Sequence, residues 1–300
     1  MKKSLGLIVL VLAGFAAASV PPPAAVQELS WVQRGYDVPF VPTPMEVVEA
    51  MLRLADLKAG DVLYDLGCGD GRIVIAAAKV PGVKATGIDI DPVRIAESNK
   101  NAAEAGLAGK VRFLQQNLFE ADFHDATVVT MYLLTSVNLR LRPKLLTDLK
   151  PGTRLVSHSF EMGEWNPDKT VAVTTSYGDE RDVHFWIVPA NVTGRWEWDL
   201  GDGPDRKHYV LEAEQQFQVV TASGREGSWP LDVSDVKLAG DAISFKVDAD
   251  LGGKIVSELY EGRVAGDAIT GTVRKAGAAK STGVVWKAVR DPKTVVSIAK

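Results

Sequence analysis

A chain of 300 residues, 46% hydrophobic and 24% charged, has a globular composition and exceeds one typical domain, so two are expected. A net charge of −4, without a basic stripe interleaved with aromatics, excludes an electrostatic nucleic-acid binder, and no nucleic-acid partner is expected. The single cysteine, Cys68, excludes an internal disulfide and leaves the redox compartment unread.

Residues 1–19 read as a signal peptide. Lys2-Lys3 precede an apolar run from Leu5 to Ala18, too short for a typical membrane span, and small residues at Ala16 to Ser19 offer a cleavage site. No cysteine follows the run, which excludes a lipoprotein anchor. Export, to the periplasm or beyond, is the expectation, and an uncleaved N-terminal membrane anchor is the alternative. Residues 20–42 read as a linker and N-terminal arm. Thr43-Pro44-Met45-Glu46 then has the order of a helix start, with Thr43 as cap and Pro44 at the first helical position.

Val62-Leu63-Tyr64-Asp65-Leu66 reads as a buried strand, running into Gly67-Cys68-Gly69-Asp70-Gly71 and a helix-prone run from Arg72. Glycine at every second position allows a sharp bend and close backbone approach to a ligand. A dinucleotide fingerprint would place a further glycine where Arg72 stands. Asp65 would repel a pyrophosphate and suits a cationic ligand instead. Val83 to Asp91 reads as the next strand, ending in acid, and Asp89 falls about 22 residues after Gly67, where a doubly wound sheet places the carboxylate that holds ribose hydroxyls. Together these residues resemble the cofactor loop of class I S-adenosylmethionine-dependent methyltransferases.

Strands and helices keep alternating as far as a fifth strand, Thr153 to Ser157, which implies βαβ units and a parallel sheet covered on both faces. From about Asn191 short alternating strands take over. They include Gly194 to Trp198, His208 to Leu211, Glu214 to Val220, Ala242 to Val247 and Val284 to Val289. The unit Leu238-Ala239-Gly240-Asp241-Ala242-Ile243 returns as Val264-Ala265-Gly266-Asp267-Ala268-Ile269, which reads as two hairpins turned by Gly-Asp. The expected fold is α/β: a doubly wound Rossmann-like sheet over 43–190, then a small antiparallel β-barrel or sandwich over 191–300. Trp196, Trp198, Trp229 and Trp286 are expected to fill its core.

Three stretches resemble a narrower family: Tyr36-Asp37-Val38-Pro39-Phe40-Val41-Pro42-Thr43, Asp65 to Val74, and Gly152 to Phe160 with Trp165 beyond. They look like the protein-lysine methyltransferases that modify the adenine nucleotide translocase and the ATP synthase c-subunit in mitochondria, and bacterial relatives of these. The resemblance covers about residues 35 to 168. The mitochondrial members usually carry Asp-Leu-Trp at Asn117-Leu118-Phe119, and glutamate at Asp89.

The resemblance implies S-adenosylmethionine as cofactor and a protein lysine as acceptor, with membrane proteins among the candidate substrates. It implies that Gly67, Gly69 and Gly71 admit the donor while Asp65 attracts its ammonium group. Asp89 binds ribose, Ile90 packs on adenine, and Asn117 and Leu118 reach the adenine edge. Tyr132 lies at the acceptor side, and Tyr36 and Phe40 close the site from the N-terminal side. His124 and His158 lack metal-ligand spacing and read as structural, so no metal is expected. A small-molecule methyltransferase and an exported, non-catalytic nucleoside-binding module are the alternative readings. Export and a donor made in the cytosol pull in opposite directions.

Overall fold

The computed structural model describes residues 35–250, 255–279 and 283–299, so the signal-peptide reading and most of the linker lie outside the described residues. The first helix, α1 (Met45–Leu54), buries Val47, Val48 and Met51 along one stripe, the spacing a helix needs to cover a sheet. Its start differs from the sequence expectation. Pro44 occupies the cap position without a side-chain cap, and the Thr43 hydroxyl lies 3.2 Å from His158 Nδ1 instead.

Alternation then builds the sheet from β1 (Val62–Leu66), α2 (Arg72–Ala77), β2 (Lys84–Asp89), α3 (Pro92–Glu104), β3 (Val111–Gln115), β4 (Val128–Met131), α4 (Thr135–Asp148) and β5 (Arg154–His158). Two further strands, β6 (Lys169–Thr174) and β7 (Glu180–Ile187), extend it beyond the five that the sequence pattern announces. The strand order is β3-β2-β1-β4-β5-β7-β6, with β7 antiparallel to β5. Because β1 pairs with both β2 and β4, the chain reverses its direction of winding there, and a crevice opens at the strand ends.

Each face of the sheet is covered. On one side α1 and α2 pack with Leu63, Val156 and Val183, and on the other α4 packs Val137, Leu141 and Leu145 against Val129, Leu155 and Trp186.

The C-terminal half is a closed eight-stranded antiparallel barrel, which decides between barrel and sandwich. Its strands are β8 (Gly194–Leu200), β9 (Lys207–Gln216), β10 (Val219–Glu226), β11 (Trp229–Ala239), β12 (Ala242–Asp250), β13 (Ile255–Ala265), β14 (Ala268–Lys275) and β15 (Val284–Arg290). They run in chain order around the barrel, and β15 closes on β8. The repeated Gly-Asp turns do the same work twice. The Asp241 carbonyl accepts from Val264 N, and that of Asp267 from Arg290 N, while their carboxylates pair with Arg263 and Arg290.

Alternation points Trp196, Trp198, Phe245, Tyr260 and Trp286 inward, and Phe245 stacks on Tyr260 at 4.8 Å. Trp229 departs from expectation: it is 76% exposed at a strand start. Glu214 to Val220 also departs from the single strand expected, because the chain turns at Phe217 between β9 and β10.

The two halves meet closely. Ala190 N donates to Gly240 O at 2.8 Å, and a Cβ on Gly240 would lie 2.9 Å from Gly152 Cα, so this approach requires glycine.

Candidate active site

The crevice at the strand reversal holds a cavity of about 360 Å³. Its floor is the loop from β1 to α2. Gly67 N and Cys68 N donate to Ile88 O at 2.8 and 3.0 Å, which ties the loop to β2. Ser98 Oγ holds Gly69 O at 2.7 Å, and Asn101 Nδ2 holds Asp70 O at 2.9 Å, so α3 fixes the loop carbonyls.

The acids sit where two strands end. Asp65 is 2% exposed and takes a hydrogen bond from Thr130 Oγ1. Burial raises its carboxyl to about 7; the Thr130 hydroxyl opposes this, and the charges of Asp89 and Asp70 add to it. Asp89 accepts from Gly69 N with one oxygen and from Asp91 N with the other, both at 2.9 Å. Burial raises it too, against those two backbone donors. A buried carboxyl so poised gains most from a cation beside it, which would draw off its proton. Such a floor accepts a cationic ligand and repels a phosphate.

The N-terminal arm covers this floor. Phe40 lies against Gly69, where a Cβ would come 2.5 Å from its ring, and the Arg94 guanidinium stands 4.5 Å from the ring centre. Arg72 grips Asp70 through two nitrogens and donates to Thr43 O at 2.9 Å. Arg140 pairs with Asp37 at 2.8 Å and lies 4.2 Å over Phe119.

The far wall is aromatic. Tyr132, immediately after β4, stacks on His158 with ring centres 3.8 Å apart and on Phe160 at 5.8 Å. His158 is buried, with Nε2 lacking a partner among the described residues, and burial first, then Arg181, lowers its pKa to about 4. It is therefore neutral across the physiological range.

Tyr36, Asp65, Gly67, Gly69, Asp89, Ile90, Asn117, Leu118 and Tyr132 all line the cavity. Gly71 does not. It caps α2 in a left-handed conformation, and a Cβ there would meet Phe113 and Ser98, so it serves packing rather than contact with the ligand. Sequence reasoning missed Arg72, Arg94 and Arg140, because the arm residues they hold are distant in sequence. It also missed His158 as the support of Tyr132.

A family model described as the ANTKMT methyltransferase domain matches residues 65–169. A protein-lysine N-methyltransferase of Saccharolobus islandicus is 52% identical over 137 residues, 45% of this chain and 85% of that protein. The chain belongs to the ANTKMT methyltransferase family. The mouse lysine N-methyltransferase of the ATP synthase c-subunit is 35% identical over 44% of this chain and 53% of its own length. Mouse adenine nucleotide translocase lysine N-methyltransferase is 33% identical over 49% and 64%. The chain thus spans between half and two thirds of these two mouse relatives. An RNA methyltransferase of Salinibacter ruber, solved with S-adenosyl-L-homocysteine, is 54% identical over 51% of this chain and 96% of that one, with a TM-score of 0.47. The family segment contains the loop, both acids, Tyr132 and His158; the arm and the barrel lie outside it.

Proposed function

We propose that this chain transfers the methyl group of S-adenosylmethionine to the side-chain amine of a protein lysine. The observation that carries this reading is one cavity with buried Asp65 at its floor and the Tyr132 face on its wall. The residues fit the donor. Gly69 puts bare backbone on the cavity lining, Asp65 can neutralise an ammonium, and Asp89 retains acceptor capacity for ribose hydroxyls. Bound there, the donor supplies an activated methyl group on a sulfonium.

The chain's own task is then alignment and proton control. A lysine amine has an unperturbed pKa of about 10.4 and must be neutral to attack. A wall presenting Tyr132, backed by Phe160, favours the neutral amine by desolvation. Neutral His158 behind Tyr132 adds no positive charge to repel the entering lysine. The lysine assignment is drawn from the relatives, whose names specify protein lysine for the Saccharolobus islandicus enzyme, and lysine of the ATP synthase c-subunit and of adenine nucleotide translocase for the mouse enzymes. By the same argument a membrane-protein acceptor is proposed.

The test is incubation with radiolabelled donor and a membrane-protein extract, followed by mass-spectrometric assignment of the labelled residue. Label on lysine is expected. Label confined to small molecules would transfer the assignment to a small-molecule methyltransferase. Tight donor binding without any transfer would leave a binding module.

A further inference from the structure

The connection from β5 to β6, residues 159–168, carries Phe160 and so backs the Tyr132 face. Its carbonyls are gripped from several sides. Asn138 on α4 donates to Phe160 O at 3.1 Å, Arg142 on α4 to Met162 O at 2.9 Å, and Trp186 on β7 to Trp165 O at 2.8 Å. The barrel supplies another grip. Gln218 Nε2 donates to Asn166 O at 2.7 Å, and the Phe217 ring lies nearly parallel to Trp165 with centres 5.7 Å apart. The Arg142 guanidinium also stands 5.0 Å from the centre of the Phe217 ring.

Phe217 is 5% exposed and holds φ at +53, a conformation that bulky residues rarely take. A turn that had only to reverse the chain would use glycine or asparagine there. The strained phenylalanine persists because its ring is buried against the other domain.

We infer that Phe217 is a positioning residue through which the barrel fixes the acceptor wall. The route runs from Phe217 to Trp165 and Arg142, along the 159–168 connection to Phe160, and so to Tyr132. The inference rests on reading Tyr132 as the acceptor side. Strands β8–β15 all lie beyond the family segment, so this support is an addition to the part the chain shares with its relatives.

The full chain is tested with Phe217→Ala, Phe217→Tyr and, inside the barrel, Phe245→Ala. Phe217→Ala should lower kcat for protein methylation about tenfold while leaving S-adenosylhomocysteine affinity unchanged. It should also speed amide hydrogen exchange across residues 159–168. Phe217→Tyr should restore both. Phe245→Ala should lower Tm without changing turnover per folded molecule. If Phe217→Ala fails to fold, Gln218→Ala, which removes the bond to Asn166 O, should show the same split with a smaller loss. Wild-type turnover and exchange in the variants would overturn the inference, as would a parallel loss of donor affinity or an equal kcat loss in Phe245→Ala. Wild-type protein that methylates no protein would instead overturn the lysine reading. In that case hydrogen exchange alone decides whether Phe217 holds the connection.

Discussion

Asp65 and Thr130 face each other across adjacent parallel strands, and the threonine hydroxyl donates to the carboxyl at 2.8 Å. That bond does not offset burial, which leaves Asp65 titrating at about 7. A cationic donor binds the ionised form, so its affinity should rise with pH through 7 and level off above. At pH 6 binding should be about tenfold weaker than on the plateau. Calorimetry in buffers of different protonation enthalpy should detect a proton released on binding at pH 6. Asp65→Asn should bind weakly and without this pH dependence. For folding the sign reverses: the raised carboxyl favours the folded state at low pH, and that contribution fades as pH rises from about 4 to 7.

Gly69 combines a left-handed φ of +55 with a Cβ position 2.5 Å from Phe40 Cε2. Gly69→Val should therefore abolish binding of S-adenosylhomocysteine, both by strain of about 1–2 kcal/mol and by displacing the arm. Gly69→Ala should be milder, and should lose less affinity in a Phe40→Ala background. Equal losses in both backgrounds would show that the Phe40 contact does not matter.

Tyr132→Ala should keep donor affinity and lose most transfer to protein, the pattern of lost acceptor alignment. Thr43→Val should shift the same balance more weakly, since it only removes the Nδ1 partner of His158 behind the ring. Equilibrium dialysis with donor, beside methyl incorporation, separates the two effects. A fall in donor affinity that matches the loss of transfer would contradict this assignment.

Asp61 and Arg154 form an ion pair at the foot of the sheet, where Arg154 also donates to Ala55 O and Asp56 O. Burial pushes the Asp61 carboxyl up, but the Lys58 amide, the Thr127 hydroxyl and Arg154 together bring it below its usual value. Its contribution is present above the unfolded pKa of about 3.9 and is lost as pH falls through the lower folded value. Asp61→Ala should cost about 3 kcal/mol at pH 7 by leaving the largely buried Arg154 guanidinium without its counter-charge. Denaturant unfolding of both proteins at pH 7 and pH 3 should show the difference shrink in acid.

Export is proposed on Lys2-Lys3, the run from Leu5 to Ala18 and the small residues that follow. Mass spectrometry of the native protein should find a mature N-terminus near Val20. Intact Met1 in a cytosolic fraction would refute it.

The donor floor is legible in the sequence because its determinants are local. Alternate glycines and an acid closing each of two strands carry their meaning within a few residues. The contacts that hold the arm and the acceptor wall are not legible in this way. Thr43 and His158 are 115 positions apart, and Arg94 meets Phe40 only once α3 packs beside the arm. Phe217 hides a turn because nothing in Gln215-Gln216-Phe217-Gln218 punctuates the strand pattern, while the Gly-Asp turns announce themselves. Bulk alone points Trp229 to the core, yet it sits at a strand start beyond the reach of the packed interior.

The chain enters the barrel and leaves it at one point. Thr193 Oγ1 donates to Val296 O and accepts from Val296 N, Asn191 Nδ2 donates to that same carbonyl, and Arg290 reaches the carbonyls of Asn191 and Thr193. A module whose two ends are fastened together this way can be spliced onto the edge of an existing enzyme without rerouting a strand of it. Evolution could thus graft such a barrel in one step, and later substitutions at a turn facing the enzyme, such as Phe217, could couple it to catalysis.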